Sequence, residues 1–114
     1  MTDCIFCKIA GGEIPSDIVH QDDELVAFRD ITPQAPTHIL VIPKRHIGTL
    51  LETGDEDALL LGKMQRAAVE IARREGLDRD GFRTVLNCLE GAGQSVFHIH
   101  LHLLGGRPMG WPPG

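Results

Sequence analysis

Polar and apolar residues alternate most regularly in the segment SVFHIHLHLLGG, residues 95–106. Every second position in its middle is a histidine, and the three are His98, His100 and His102. Because side chains at alternate positions of a β-strand share a face, this pattern predicts a row of imidazoles on one face, with Ile99, Leu101 and Leu103 in the core. Three histidines in one row with clean apolar alternation indicate a functional site rather than a chance pattern.

The rest of the pattern predicts about five strands and two helices. Strands are expected around residues 18–19, 25–28, 38–43, 82–89 and 97–104, and helices at residues 3–11 and 55–75. The longer helix has an apolar stripe, made of Leu60, Met64, Ala67, Ala68 and Ile71. We expect Thr53 and Glu56 to cap its start and Gly76 to end it, while Pro43 should end its strand or place it at an edge. The predicted class is α+β with an antiparallel sheet.

Length and composition narrow the class of protein further. The chain has 114 residues, enough for a single domain over residues 1–114, and its 42% hydrophobic and 24% charged residues are typical of globular proteins. The net charge of −5, with scattered basic residues, argues against binding to nucleic-acid polymers. No apolar run approaches a membrane span and the start lacks signal-peptide features, so we expect a cytoplasmic protein. Three cysteines, an odd number, favour reduced thiols over a disulfide framework.

The histidine row is compatible with two kinds of chemistry. Neutral imidazoles at alternate positions of a strand can bind a metal such as zinc, which would make the row the metal site of a hydrolase. Alternatively, one imidazole is a nucleophile and its neighbours orient it, because histidine is neutral and nucleophilic near pH 7. The preceding loop EGAGQSV, residues 90–96, offers glycine backbone and a serine hydroxyl as donors to an anion, although such loops are also ordinary turns. An anion held there would lie beside the imidazoles, which favours the nucleophile.

A resemblance to a known family rests on three stretches of this sequence. GQSVFHIHLHLLGG contains His-x-His-x-His followed by two apolar residues, FRDITPQAPTHILVIPKRHI precedes it, and GGRPMGWPPG follows it. With these motifs the chain resembles the histidine triad nucleotide-binding proteins, the purine nucleoside phosphoramidases of the histidine triad superfamily, from about Cys4 to Gly114. The tryptophan tail points to this branch rather than to the diadenosine polyphosphate hydrolases. The resemblance implies a HIT-like fold with a five-stranded antiparallel sheet, one long helix and a short N-terminal helix.

The resemblance also implies a mechanism. His100 would attack the α-phosphorus of a nucleoside 5′-phosphoramidate, release an amine and form a covalent nucleotidyl-histidine, which water would cleave to the nucleoside monophosphate. His98 and His102 would support the phosphate oxygens, and family members with glutamine in place of His102 are transferases, so this chain should hydrolyse. Neutral donors to the phosphate would come from Gly93, Gln94, Ser95 and Val96. His38 or Ser95 would lie on the path of the proton to the leaving amine.

For the nucleoside, the resemblance implies that Asp30 binds the ribose hydroxyls, and that the base lies among Phe6, Ile9, Phe28 and Ile31. Ordinary core packing is the alternative for those four. Asn87 resembles a phosphate-side or ribose-side asparagine, with a turn cap as its alternative. Trp111 would reach the site of a partner subunit, which implies a homodimer. Leu89 departs from relatives that have glycine at this position.

Two functional alternatives stay open beside the phosphoramidase. One is a dinucleoside polyphosphate hydrolase on the same scaffold, and the other is a nucleotide-binding interaction protein whose turnover is incidental. The expected small-molecule partner is in each case a nucleotide, such as a conjugate of AMP or GMP.

A possible structural zinc site begins with Cys4 and Cys7, which have the spacing of a ligand pair. Many bacterial relatives bind zinc with such a pair and two histidines, and the matching residues here are His46 and His98. The alternative is two reduced thiols in a small apolar helix. If zinc takes His98, that side chain no longer contacts phosphate freely, and the metal instead supports the strand that presents His100.

Overall fold

The computed structural model describes residues 3–114. Its helices and strands, in chain order, are α1 (Ile5–Ala10), β1 (Ile18–Gln21), β2 (Leu25–Arg29), β3 (Thr37–Pro43), α2 (Ala58–Arg74), β4 (Phe82–Val85) and β5 (Leu101–Gly105). Single turns of 3₁₀-helix lie at Leu50–Glu52, Asp55–Asp57 and Glu90–Ala92. None of the helices in the described part of the chain has the length and apolar character needed to cross a membrane.

The five strands form one antiparallel sheet in the order β1-β2-β3-β5-β4. The register aligns one residue from each strand in a row across the sheet: Ile18, Phe28, Leu40, His102 and Val85. Neighbouring strands are about 4.8 Å apart, so residues of this row are direct neighbours on one face. The α+β class with an antiparallel sheet is therefore confirmed.

Each face of the sheet has its own apolar cluster. Helix α2 covers one face, where its buried Met64, Ala68 and Ile71 pack against strand residues that include Ile39 and Val41. The alternate residues of the histidine segment, Ile99, Leu101 and Leu103, are buried in the same cluster. Helix α1 covers part of the opposite face, with Phe6 and Ile9 packed on Val26, Phe28, Leu40 and Ile42. The predicted apolar alternation thus separates a packing face from a face that carries the histidines.

The two ends of α2 differ in how well the sequence predicted them. Gly76 has φ +77° and donates to the carbonyl of Arg73, while Leu77 donates to that of Ala72, so the helix ends in a Schellman motif as expected. At the start, Thr53 and Glu56 do not form the predicted capping box. The Thr53 hydroxyl donates to Leu50 instead, and a 3₁₀ turn, Asp55–Asp57, precedes the α-helix. The carboxylate of Asp57 accepts a hydrogen bond from the Gly54 N–H and forms an ion pair with Arg45. Asp57 therefore stabilises the N-terminal end of α2.

Strand β5 is shorter than the histidine pattern predicted. Regular pairing begins at Leu101, so His98 and His100 precede the strand and only His102 lies within it. Ile99 instead donates its N–H to the carbonyl of Ile47, which holds this lead-in segment beside the chain after β3. Pro43 is the last residue of β3, which is a central strand. Of the two predicted roles, it therefore ends its strand and does not place it at an edge.

Candidate active site and metal centre

The His100 imidazole is held in one tautomer by its own chain. Its Nδ1 lies 2.9 Å from the carbonyl oxygen of His98, and because a carbonyl only accepts, Nδ1 carries the hydrogen. Nε2 therefore has a free lone pair. The residue is 6% exposed, with the Phe6 ring edge-on at 5.0 Å, and burial lowers the pKa of His100 below its ordinary value. The site thus presents a neutral, oriented imidazole nitrogen, which is the form a nucleophile requires.

A chain of hydrogen bonds also determines the tautomer of His102. The backbone N–H of Gln34 donates to Nδ1 of His38 at 3.0 Å, so the hydrogen of neutral His38 is on Nε2. That Nε2 lies 2.9 Å from Nδ1 of His102, which must accept. The hydrogen of His102 is therefore on Nε2, where it can be donated to a ligand. Burial, followed by the nearby His100 and His38, lowers the pKa of His102 to about 4, so this imidazole is neutral near pH 7.

Asp30 completes this hydrogen-bonded group. One carboxylate oxygen accepts from the N–H of Thr32 at 2.9 Å and from its hydroxyl at 3.1 Å, and the other lies 3.5 Å from Nε2 of His38. Asp30, His38 and His102 are close enough together to hold a metal ion. Nε2 of His38 carries a hydrogen in the tautomer just derived, however, and a protonated nitrogen offers no lone pair to a metal. We therefore interpret the group as a means of orienting His102.

A cavity of about 350 Å³ opens beside these histidines. It brings together nine of the residues expected at the site: Phe6, Ile9, Phe28, Asp30, Ile31, Ser95, Val96, His100 and His102. Its floor follows the row across the sheet from His102 through Leu40 to Phe28. Pockets of this size accommodate small organic ligands, and the mixture of apolar walls with one polar end is typical of them.

Several lining residues were not anticipated from the sequence. They are Ile5, Ile14, Pro15, Ser16, Arg29, Thr32 and Leu40. The only signal for the loop members was an apolar Ile14 within the polar stretch GGEIPSD, residues 11–17. Ile14 packs against the apolar cluster that contains Phe6 and Ile9 of α1. This contact holds the loop beside the cavity. His38 and His98 do not line the cavity. Each forms a hydrogen bond to a histidine that does, His38 to His102 and the His98 carbonyl to His100.

The loop before the histidines has the donors expected of an anion site, but Gln94 has a different position from the one anticipated. Its side chain is 2% exposed, accepts from the N–H of Leu89 and donates to the carbonyls of Gly48 and Val96. These bonds use the amide to hold the loop together. The backbone N–H groups of Ser95 and Val96 make no hydrogen bond to other residues within 3–114, and both residues line the cavity.

Leu89 is the one non-glycine residue with positive φ in the described range, at φ 72° and ψ 168°. This conformation is adopted almost only by glycine and costs about 1–3 kcal/mol for other residues. Leu89 is held there because its N–H donates to Gln94 and its carbonyl accepts from Ala92 and Gln94. The nearby Asn87 is half-buried, with its Nδ2 beside Gly93, whose φ is +98°. The departure from glycine noted in the sequence therefore falls on a strained position of the loop.

Replacing Leu89 by glycine is expected to raise the free energy of unfolding by about 1 kcal/mol. Relief of the strain outweighs the greater chain entropy that glycine adds to the unfolded state. Urea unfolding of Leu89→Gly and Leu89→Ala would measure this, since alanine removes the side chain and keeps the strain. Equal stability of the two variants would contradict the strain argument.

The four predicted metal ligands converge. Nδ1 of His98 lies 3.3 Å from Sγ of Cys4, 3.5 Å from Sγ of Cys7 and 3.2 Å from Nδ1 of His46, and Cys7 Sγ lies 3.3 Å from His46 Nδ1. In a tetrahedral zinc site the edges are about 3.6 Å between sulfur and nitrogen and about 3.3 Å between nitrogens, given the usual bond lengths. The donor atoms are thus spaced for one tetrahedral ion, and the residues fit a metal.

His98 connects this metal centre to the nucleophile. Its Nε2 donates to the carbonyl of Pro43 at 2.7 Å, which leaves the Nδ1 lone pair facing the cysteines. Its backbone carbonyl is the acceptor that orients His100. The side chain of His98 is fully buried and directed to the cluster, so it does not contact a ligand in the cavity. Of the two roles considered for His98, the geometry favours the metal ligand.

Trp111 lies away from the cavity of its own chain. The tail backbone is held where Arg83 donates to the carbonyl of Gly110 and Arg107 donates to that of Gln34. The Trp111 side chain itself is 84% exposed. The tail is thus anchored, while its tryptophan is available for a contact outside this chain.

Comparison with known proteins gives consistent results. A family described as "Scavenger mRNA decapping enzyme C-term binding" matches residues 3–110. A purine nucleoside phosphoramidase of Escherichia coli is 55% identical over 106 residues, covering 93% of this chain and 89% of that protein. A 14 kDa zinc-binding protein of Brassica juncea is 51% identical, covering 98% of this chain and all of that protein. The crystal structure of a HIT family hydrolase from Legionella pneumophila superposes with a TM-score of 0.97 at 55% identity, covering 98% of this chain and 100% of the other.

Proposed function

The chain belongs to the histidine triad superfamily, in its Hint-type branch, and on this premise we propose that it hydrolyses purine nucleoside 5′-phosphoramidates. The observation that carries the proposal is the tautomer of His100, whose Nδ1 donates to the His98 carbonyl and whose Nε2 is free for attack. The 55% identity to a purine nucleoside phosphoramidase, over most of both chains, supports the same substrate class.

The reaction proceeds in two displacements. The Nε2 lone pair of His100 attacks the α-phosphorus, a P–N bond to His100 forms, and the P–N bond to the amine breaks. The Nε2–H of His102 and the backbone N–H groups of Ser95 and Val96 donate to the phosphate oxygens. The departing amine takes one proton, and Ser95 or the His38–His102 pair relays it. Water then attacks phosphorus and returns a proton to the same relay, the bond to His100 breaks, and the nucleoside monophosphate leaves.

The nucleoside occupies the remaining length of the cavity. Asp30 binds the ribose hydroxyls through its carboxylate, which lies beside the histidines. The base packs among the apolar side chains of Phe6, Ile9, Phe28 and Ile31. The loop at residues 90–96 holds the phosphate. Asn87 and Gly93 support this loop, and the buried side chain of Gln94 stabilises it by hydrogen bonds.

Zinc is the metal that the cluster of Cys4, Cys7, His46 and His98 would hold. Two thiolates with two neutral imidazoles suit zinc, and the similar Brassica juncea protein is named a zinc-binding protein. When bound, zinc supplies structural support. The residue it supports, His98, in turn holds the tautomer of His100 through its carbonyl.

The protein acts as a homodimer in this proposal. The exposed Trp111 on an anchored tail is suited to contact a second copy of the chain near its site. Tryptophan is among the residues enriched at protein–protein interfaces.

Two other functions use the same scaffold. A dinucleoside polyphosphate hydrolase must accommodate a second nucleoside, whereas the cavity of about 350 Å³ beside the histidines has the size of a site for one small organic ligand. A nucleotide-binding interaction protein needs no oriented nucleophile, whereas His100 is held with its lone pair free. Both observations favour the phosphoramidase.

A panel of substrates tests the assignment. Adenosine and guanosine 5′-phosphoramidates should be hydrolysed with a higher kcat/KM than diadenosine polyphosphates, measured by chromatography of the released monophosphate. Faster cleavage of the dinucleotides would transfer the assignment to the first alternative. Tight nucleotide binding without turnover of any substrate would favour the interaction protein.

A further inference from the structure

The cavity has a second end, opposite the histidines. The cross-strand row continues from His102 through Leu40 and Phe28 to Ile18 on β1, which spans three strand spacings, or about 14 Å. The N–H of Ile18 donates to the carbonyl of Ser16 at 3.1 Å, so Ser16 lies at the β1 end of this row. This distance is comparable to the length of an extended nucleoside monophosphate. A nucleotide with its phosphate at His100 therefore has its base near Ser16.

The distal end is almost entirely apolar. Apart from Phe6, which contacts His100, the apolar lining residues contributed by α1, the loop after it and β2 are Ile5, Ile9, Ile14, Pro15 and Phe28. Arg29 and Ser16 are the lining residues there whose side chains are capable of hydrogen bonding, because Asp30 and Thr32 bond to each other beside His38, and Ser95 lies in the loop before the histidines. Arg29 is already engaged, since its two Nη atoms donate to the carboxylate of Glu75 at 3.0 and 2.9 Å.

Ser16 differs from Arg29 in being uncommitted. Its hydroxyl makes no hydrogen bond to any residue within 3–114, and the residue is half-buried in the cavity wall. The hydroxyl is not sealed from solvent, because no buried side-chain polar atom lacks a partner in the described structure. A hydroxyl that is accessible, unpaired and surrounded by apolar walls is suited to orient a ligand.

Building on the proposed function, we infer that the Ser16 hydroxyl binds the substituent on C6 of the purine. It thereby makes the site specific for purines that carry a group at C6. The six-membered ring is the part of a purine farthest from the sugar, so it is the part that approaches Ser16. A hydroxyl both donates and accepts, and therefore pairs with the 6-amino group of adenine and with the 6-oxo group of guanine. A pyrimidine is shorter and does not span the cavity from His100 to Ser16.

Binding of reaction products tests the role of Ser16 without requiring turnover. Calorimetry of the metal-loaded protein would compare AMP, GMP and purine riboside 5′-monophosphate, which lacks a group on C6. AMP and GMP should bind about 3- to 10-fold more tightly than purine riboside monophosphate, the size of one neutral hydrogen bond. In Ser16→Ala this preference should disappear, and Ser16→Thr, which keeps a hydroxyl, should retain part of it.

A control variant and the opposing outcomes make the test specific. Ile14→Val changes the apolar wall only, so it should alter the three affinities by a similar factor. An unchanged preference in Ser16→Ala would overturn the role of Ser16. If the preference behaves as expected while no phosphoramidate is hydrolysed, the Ser16 inference stands and the proposed reaction fails. Absence of binding by all three nucleotides would overturn both.

Discussion

Turnover of adenosine 5′-phosphoramidate is expected to fall by about a thousandfold or more in His100→Ala, because the covalent route has no other nucleophile. The other two imidazoles at the site cannot replace it. His102 uses its Nδ1 lone pair to accept from His38, and His98 faces Cys4 with its own Nδ1. Among residues 3–114, Nε2 of His100 is the one imidazole nitrogen with a free lone pair beside this cavity.

The wild-type protein should form a nucleotidyl adduct on His100 during turnover. Rapid acid-free quenching, digestion and mass spectrometry would identify the modified peptide, since a phosphoryl–imidazole bond is labile in acid and stable in base. His102→Ala is a suitable matched control. It removes a donor to the phosphate but leaves the nucleophile, so it should slow turnover and still form the adduct. Wild-type activity in His100→Ala, or an adduct on a different residue, would exclude the assignment.

Replacing Cys7 by serine is expected to abolish stoichiometric zinc binding and to lower the free energy of unfolding by on the order of 3 kcal/mol. Serine provides a poor ligand, so the His46 and His98 nitrogens at 3.3 and 3.5 Å from Cys7 Sγ would lose their shared ion. Because the His98 carbonyl orients His100, kcat should fall more than KM rises. Elemental analysis of untagged protein and urea unfolding would measure both effects.

Cys88→Ser provides the matched control for this variant. Cys88 is a thiol outside the metal cluster, so its replacement should leave the zinc content and the unfolding midpoint unchanged. Chelation of the wild-type protein should lower its midpoint towards that of Cys7→Ser. Stoichiometric zinc in Cys7→Ser, or none in the wild type, would remove the metal centre from the proposal.

Errors in the sequence predictions concern interactions that a local pattern does not contain. Alternation extended the last strand to His98, whereas pairing begins at Leu101 because Ile99 donates to Ile47 instead of to a neighbouring strand. In place of the predicted capping box of Thr53 and Glu56, Asp57 caps the helix start. Its carboxylate also forms an ion pair with Arg45, which precedes it in a separate segment. A partner distant in sequence decided each case.

The residues alone determined which side chains share a face, where helix α2 ends and that Cys4 and Cys7 have the spacing of a ligand pair, because periodicity and residue type are local properties. The family resemblance added His46 and His98 to that pair. Tertiary structure decided what each histidine does. His38 and His102, 64 residues apart, exchange a hydrogen bond, and His98 meets the Pro43 carbonyl from 55 residues away. Such partners set the tautomers, and therefore decide which imidazole donates, which faces a metal and which keeps a free lone pair.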